Sequence, residues 1–182
     1  MDKPYFSVRD LALMTILGCI SSLTTLTTNF IPVPLPGLYA VIAIPVGTIL
    51  VLIVAEVVGK FGAATFTQFI SGVLSMFLPR GPPVVWMTIP AWCMGGIVID
   101  IILYLAKKKP SESRLVATII GLLYNIPGDI ALYWSFVTFL GWAFPLIFFL
   151  YGFIMIHAIL GAVGGAVSPN IILKIRPLLC QT

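Results

Sequence analysis

Long apolar stretches separated by short polar turns dominate this chain and constrain its fold more than any other feature. Of its 182 residues, 60% are hydrophobic and only 9% are charged, whereas soluble domains usually have about a quarter of their residues charged. A bilayer core of about 30 Å needs roughly 20 apolar residues per helix. We therefore predict an all-α integral membrane protein in which residues 1–182 form a single transmembrane domain.

The apolar stretches divide into six predicted membrane spans. These cover Val8–Thr28, Gly37–Ala55, Phe61–Leu78, Val84–Ala106, Leu115–Leu140 and Ala143–Ser168. If the N-terminus is cytoplasmic, nine of the ten Lys and Arg residues fall on the inner side and only Arg80 falls outside. Because positive charge is retained in the cytoplasm, the pattern predicts six spans with both termini cytoplasmic. The basic residues flank the spans and form no stripe, so the net charge of +4 does not indicate nucleic-acid binding.

The predicted first outer loop, Asn29–Gly37, is uncharged, apolar and rich in proline. Proline fixes φ and removes a backbone donor, so this segment should be stiff and extended. It suits a lid over a pocket and a simple connector equally well.

The fifth predicted span contains the strongest polar motif, Asn125-Ile-Pro-Gly-Asp129. Pro127 should break the helix, and such breaks are tolerated in a membrane chiefly beside protein or a watery cavity. Asn125, Asp129 and Tyr133 are spaced by four and should share one helix face. That face could bind a polar heterocycle or a cation, or it could simply connect helices.

Other polar and aromatic side chains could complete a binding pocket. Gln68, Ser71 and Ser75 should share one face of the third span. Trp92 is a candidate for stacking on a ligand, whereas Trp86 fits the interfacial aromatic belt at least as well. His157 could contact a ligand or serve only in packing. Small residues in the first span form two pairs four apart, Thr15 with Cys19 and Gly18 with Ser22, and these allow another helix to approach closely.

The architecture of about 180 residues with six spans and both ends inside resembles the substrate-binding (S) components of energy-coupling factor (ECF) transporters. The stretch from Lys60–Ala64 through Gly81–Pro83, followed by Gly95–Asp100, looks most like the YkoE-type branch, which is linked to thiamin or its hydroxymethylpyrimidine precursor.

The resemblance implies a multi-pass subunit of the prokaryotic inner membrane that binds a vitamin near the outer face, under the loop joining the first two helices. It also implies translocation by toppling, with a partner transmembrane subunit and two ATPase subunits. The small residues Thr15, Gly18, Cys19 and Ser22 would then face the partner subunit. No catalytic residue, metal or cofactor is implied.

One departure from the family pattern affects the ligand. An acidic residue is expected on the third helix for a cationic ligand, and this chain has Gln68 and Ser75 there. Asp129 could substitute; otherwise the ligand is neutral, or anionic and attracted to Arg80.

Two further classes stay open. One is a small membrane enzyme that uses Asp129, Asp100 or His157, although we expect these groups at different depths. The other is a channel or assembly factor in which the polar residues only connect helices.

Overall fold

The computed structural model describes residues 4–30, 40–79, 82–142 and 145–180, and over these ranges it is all-helical, as predicted. The proline-rich segment of the first loop and Arg80 lie outside the described residues. The α-helices are α1 (Val8–Thr24), α2 (Ala43–Val58), α3 (Ala63–Ser75), α4 (Thr88–Ala106), α5 (Arg114–Leu123), α6 (Asn125–Leu140), α7 (Leu146–Phe149) and α8 (Met155–Cys180). A 3-10 turn, Thr25–Phe30, extends α1, and a π-helical turn, Leu150–Ile154, joins α7 to α8.

Within the described ranges, four helical segments are long and apolar enough to cross a membrane. They are Val8–Thr28, Val85–Ala106, Arg114–Leu140 and Leu146–Pro177. The remaining two predicted spans correspond to α2 and α3, which are helical but short. With 13 residues, α3 is about 20 Å long, less than the thickness of a bilayer core.

The last helix is longer than predicted. The predicted end at Ser168 is wrong because the helix continues through Pro169 to Cys180. Pro169 cannot donate to the carbonyl four residues earlier, that of Gly165. The Ser168 hydroxyl donates to that carbonyl instead, at 2.8 Å, so the helix loses little by including the proline.

Pro127 interrupts the helix for one residue only, Tyr124, which keeps helical φ and ψ angles of −67° and −28°. Pro127 leaves the Leu123 carbonyl without its usual donor, and the break between α5 and α6 falls at the next residue, Tyr124. Beyond the break, Gly128 lies against α4: a Cβ atom at this position would be 2.7 Å from the Ala91 carbonyl oxygen. The close approach brings the neighbouring Asp129 into the centre of the bundle.

Small residues also set the contact between α5 and α8. A Cβ atom on either Gly121 or Gly161 would collide with the carbonyl group of the other glycine. Such contacts let two helix backbones approach closely, which favours packing where no hydrophobic driving force operates between helices.

The small residues of α1 have two different environments. Gly18 and Ser22 are buried against α3, where the Ser22 and Ser75 hydroxyls are 3.3 Å apart. A Cβ on Gly18 would be 2.7 Å from the Thr67 carbonyl oxygen. The prediction that Gly18 and Ser22 face a partner subunit is therefore corrected: they pack within this chain. Thr15 is exposed and Cys19 half-buried, and their role stays a prediction.

The hydrophobic core fills the half of the bundle that contains both described termini. Its centre includes Val51, Leu52, Ile99, Ile120 and Ile172, from α2, α4, α5 and α8.

Carboxylates connect the elements at the same end of the bundle as this core. Asp100 of α4 accepts from the backbone N–H groups of Ala64 (3.2 Å) and Thr65 (2.9 Å) and from the Thr65 hydroxyl (2.6 Å). It thus caps α3, whose own N-cap residue, Gly62, has no side chain to do so. Buried Glu56 accepts from the Ser111 N–H and hydroxyl.

We expect Asp100→Ala to lower the free energy of unfolding by about 2 kcal/mol, because the first turn of α3 loses a charged cap. Unfolding in detergent micelles, followed by tryptophan fluorescence, measures the change. Glu112→Ala is the matched control, since exposed Glu112 accepts only from the Lys109 N–H among its described contacts. Equal stability of the two variants would contradict a capping role for Asp100.

Candidate ligand-binding cavity

A cavity of about 520 Å³ lies in the half of the bundle away from the core. It is bounded by the C-terminal ends of α1 and α3, the N-terminal ends of α2 and α4, and residues of α6 and α8. Thr28 and Ala40, on either side of the first predicted outer loop, contribute to the cavity wall. Pro79 and Pro82, between α3 and α4, contribute to it as well. The volume lies within the range of about 300–1,000 Å³ that is typical of small-molecule sites.

Aromatic side chains form much of the wall. Phe149 and Phe153 are stacked, with ring centroids 5.3 Å apart and planes at 21°. The His157 ring follows at 5.7 Å from Phe153, edge to face. The π-helical turn Leu150–Ile154 lies within this series, and such turns often occur at functional sites. Trp92 and Trp142 also line the cavity. We call Phe149, Phe153 and His157 the aromatic ladder.

A buried hydrogen bond lies at the His157 end of the aromatic ladder. His157 Nδ1 is 3.0 Å from both Asp129 carboxylate oxygens, and the two residues are only 7% and 8% exposed. An ionised carboxylate can only accept a hydrogen bond, so Nδ1–H is the donor in a contact with ionised Asp129.

Neutral polar groups also line the cavity. Gln68, Ser75 and Asn125 line the cavity, and Asn125 Nδ2 is buried without a hydrogen-bond partner among the described residues. The Tyr124 hydroxyl accepts from Thr48, at 3.0 Å, and thereby connects the α5–α6 break to α2. These groups could donate hydrogen bonds to a ligand or accept them from it. The aromatic walls could bury the rings of the ligand.

The structure brings together most of the predicted site residues. Those that line the cavity are Gln68, Ser75, Trp92, Asn125, Asp129 and His157. Three others do not line it. Ser71 is fully buried beside it, Trp86 is 48% exposed on the outside of the bundle, and Tyr133 packs on Phe149 with centroids 4.5 Å apart.

The expected separation of the ionisable groups is wrong for one pair. Asp129 and His157 are in hydrogen-bond contact, although they are far apart in the sequence. Asp100 lies at the opposite end of the bundle, where it caps α3.

Several wall residues were missed from the sequence. Phe149, Phe153 and His157 are spaced by four, a pattern that could have indicated a shared face. Tyr124, next to Asn125, carries no comparable signal.

Comparisons with protein-family models, with curated proteins and with solved structures found no match. The resemblance to ECF S components therefore stays an expectation from the sequence pattern.

Proposed function

We propose that the chain is the substrate-binding subunit of an ECF-type importer that captures a vitamin or vitamin precursor in this cavity. The best candidates are thiamin and its hydroxymethylpyrimidine moiety. A partner transmembrane subunit and two ATPase subunits would drive translocation, since the sequence has no phosphate-binding loop of its own.

One observation carries the proposal: an aromatic-walled cavity of about 520 Å³ holds a buried carboxylate that is oriented by a histidine. Ionisable groups deep in a membrane protein are costly and usually serve a ligand or ion path. A cavity with flat apolar walls and few fixed polar groups is the general form of a small-molecule site.

The proposed topology has six spans in the prokaryotic inner membrane with both termini cytoplasmic. In this orientation the cavity lies in the outer half of the bundle. The proposed topology is supported by the four long apolar helices and by the distribution of Lys and Arg. The short helices α2 and α3 would require local thinning of the bilayer.

A thiamin-type ligand fits the chemistry of the wall. Its pyrimidine ring could stack on the aromatic ladder, with the amino group and ring nitrogens bonded to side chains such as Asn125 or Gln68. Its positively charged thiazolium ring would gain from the Asp129 carboxylate and from nearby aromatic faces.

We expect the purified protein to bind thiamin or hydroxymethylpyrimidine, and Asp129→Asn to weaken thiamin binding by about 100-fold, because a buried charge contact is lost. Isothermal titration calorimetry measures both affinities, and native mass spectrometry shows any small molecule retained from the cell.

Asp10→Asn is the matched control. It makes the same chemical change at the other end of the bundle, where Asp10 forms an ion pair with Lys60 at 2.6 Å. Absence of binding for a panel of vitamins and precursors would contradict the proposed function. If Asp10→Asn lowered the thiamin affinity as much as Asp129→Asn does, the effect of Asp129→Asn would come from reduced protein stability.

The Asp129–His157 pair also favours a second function, that of a small membrane enzyme. A carboxylate-oriented histidine is a common general base. Incubation with the same panel distinguishes the two functions: an importer subunit returns the ligand unchanged, whereas an enzyme converts it.

A further inference from the structure

We propose that the turn between α4 and α5 binds the headgroup of an anionic phospholipid, at the end of the bundle that contains both described termini. We call residues 107–114 the basic turn. The proposal goes beyond the cavity and its ligand, and it depends only on the location of the chain in a membrane.

The basic turn concentrates positive charge on an exposed surface. It has one acidic residue, Glu112, and its exposed basic residues are Lys107, Lys108, Lys109 and Arg114. At the same end of the bundle, Lys60 already forms an ion pair with Asp10 at 2.6 Å. An anionic group that approaches the basic turn therefore meets an excess of positive charge.

Three features hold the backbone of the basic turn in place. Pro110 is fully buried. Ser111 donates from its N–H, at 3.0 Å, and from its hydroxyl, at 2.8 Å, to the buried carboxylate of Glu56 on α2. The Glu112 carboxylate accepts from the Lys109 N–H at 3.0 Å. Because the lysines extend from a fixed backbone, less conformational entropy is lost when they bind a ligand.

Lys107 has a backbone conformation that disfavours a side chain. Its φ is 51°, and it is the only non-glycine residue with a positive φ in the described part of the chain. Where α2 and α6 end in the same left-handed conformation, the residue is glycine, Gly59 and Gly141, which has no Cβ to cause strain. A topology signal does not require a lysine at this position, because any nearby basic residue would serve. The strained position indicates that the charge of Lys107 has a function at the turn.

Large exposed side chains flank the basic turn. Tyr104 and Leu105 near the end of α4 are 70% and 72% exposed, and Leu115 at the start of α5 is 69% exposed. In a membrane these side chains would contact acyl chains, while basic side chains at helix ends reach the level of the headgroups. This combination favours a lipid over a soluble anion, which would gain from the charges alone. The proposed topology places the basic turn at the cytoplasmic leaflet, where anionic lipids attract basic segments.

Native mass spectrometry of the detergent-purified chain measures lipid affinity, with phosphatidylglycerol and phosphatidylcholine of the same acyl chains as probes. We expect the wild type to prefer phosphatidylglycerol. Lys108→Gln/Lys109→Gln should weaken phosphatidylglycerol binding by about tenfold and leave phosphatidylcholine binding unchanged, because each basic residue near an anionic headgroup favours binding severalfold. Both substitutions leave the left-handed residue Lys107 in place.

Lys174→Gln/Arg176→Gln is the matched control. It removes the same number of positive charges from exposed positions of α8 at the same end of the bundle. Equal losses of phosphatidylglycerol affinity in the two double variants would overturn the site, because the attraction would then depend on net charge alone. A wild-type protein with no preference for phosphatidylglycerol would overturn it as well.

Pro110→Gly tests whether the order of the basic turn matters. The variant keeps every charge but removes the buried ring, so the lysines extend from a more flexible backbone. We expect its preference for phosphatidylglycerol over phosphatidylcholine to fall severalfold. An unchanged preference would overturn the role of the ordered backbone.

Glycerol 3-phosphate distinguishes a lipid site from a site for a soluble phosphate compound. We expect a large excess of glycerol 3-phosphate to leave phosphatidylglycerol bound, because the soluble compound makes no acyl-chain contacts. Displacement of the lipid would assign the basic turn to soluble phosphates instead. All of these outcomes are independent of thiamin binding, so the lipid site and the proposed function can fail separately.

Discussion

The double variant Asp129→Leu/His157→Leu is expected to be more stable than His157→Leu alone, and close to the wild type. His157→Leu leaves the buried Asp129 carboxylate without its donor, which should cost about 3–5 kcal/mol. The double variant removes both polar groups and fills the space with apolar atoms, and such replacements are often neutral or stabilising. Thermal unfolding in detergent measures the order of stabilities.

Thiamin binding distinguishes a ligand-binding role of the Asp129–His157 pair from a purely structural one. We expect the double variant to be folded but unable to bind thiamin. A double variant as unstable as His157→Leu would show that the two residues are not energetically coupled, contrary to their contact. Retained thiamin binding in the double variant would remove the pair from the ligand site.

Gly161→Leu is expected to destabilise the bundle by about 3 kcal/mol or to prevent folding. The new side chain would collide with the Gly121 carbonyl, so α5 and α8 would have to separate. The yield of monodisperse protein and the midpoint of thermal unfolding measure this effect.

Val163→Phe is the control for added volume on the same helix. Val163 is 51% exposed, so a larger side chain there can extend away from the bundle. If Val163→Phe and Gly161→Leu lowered the protein yield and the unfolding midpoint by similar amounts, the close contact between α5 and α8 would be contradicted.

Much of the helical pattern could be predicted from the sequence. The first predicted span coincides with the apolar segment Val8–Thr28, and the break next to Pro127 falls where the missing donor requires it. The predicted span ends at Ser168, whereas the helix continues through Pro169, which lacks a backbone donor, to Cys180. Here the Ser168 hydroxyl replaces the missing donor, and only the three-dimensional geometry reveals this contact.

The candidate site was predicted residue by residue but not as an arrangement. Asn125 and Asp129 share a helix face, so spacing alone placed them together. Tyr133 has the same spacing, yet it packs on Phe149 behind the cavity wall. Four-residue steps drift around a helix by about 40° each, so the neighbouring helices decide which members of a face reach the cavity.

By itself, the sequence determined the all-helical class, the approximate positions of the helices and the concentration of polar groups around Pro127. These properties follow from local hydropathy and from the backbone chemistry of single residues. Only the tertiary structure decided that His157 meets Asp129, that Asp100 caps another helix, and that Gly18 and Ser22 face α3. Each of these contacts joins distant parts of the chain, and helix rotation and the close approach at glycines fix such contacts more than the properties of either residue alone.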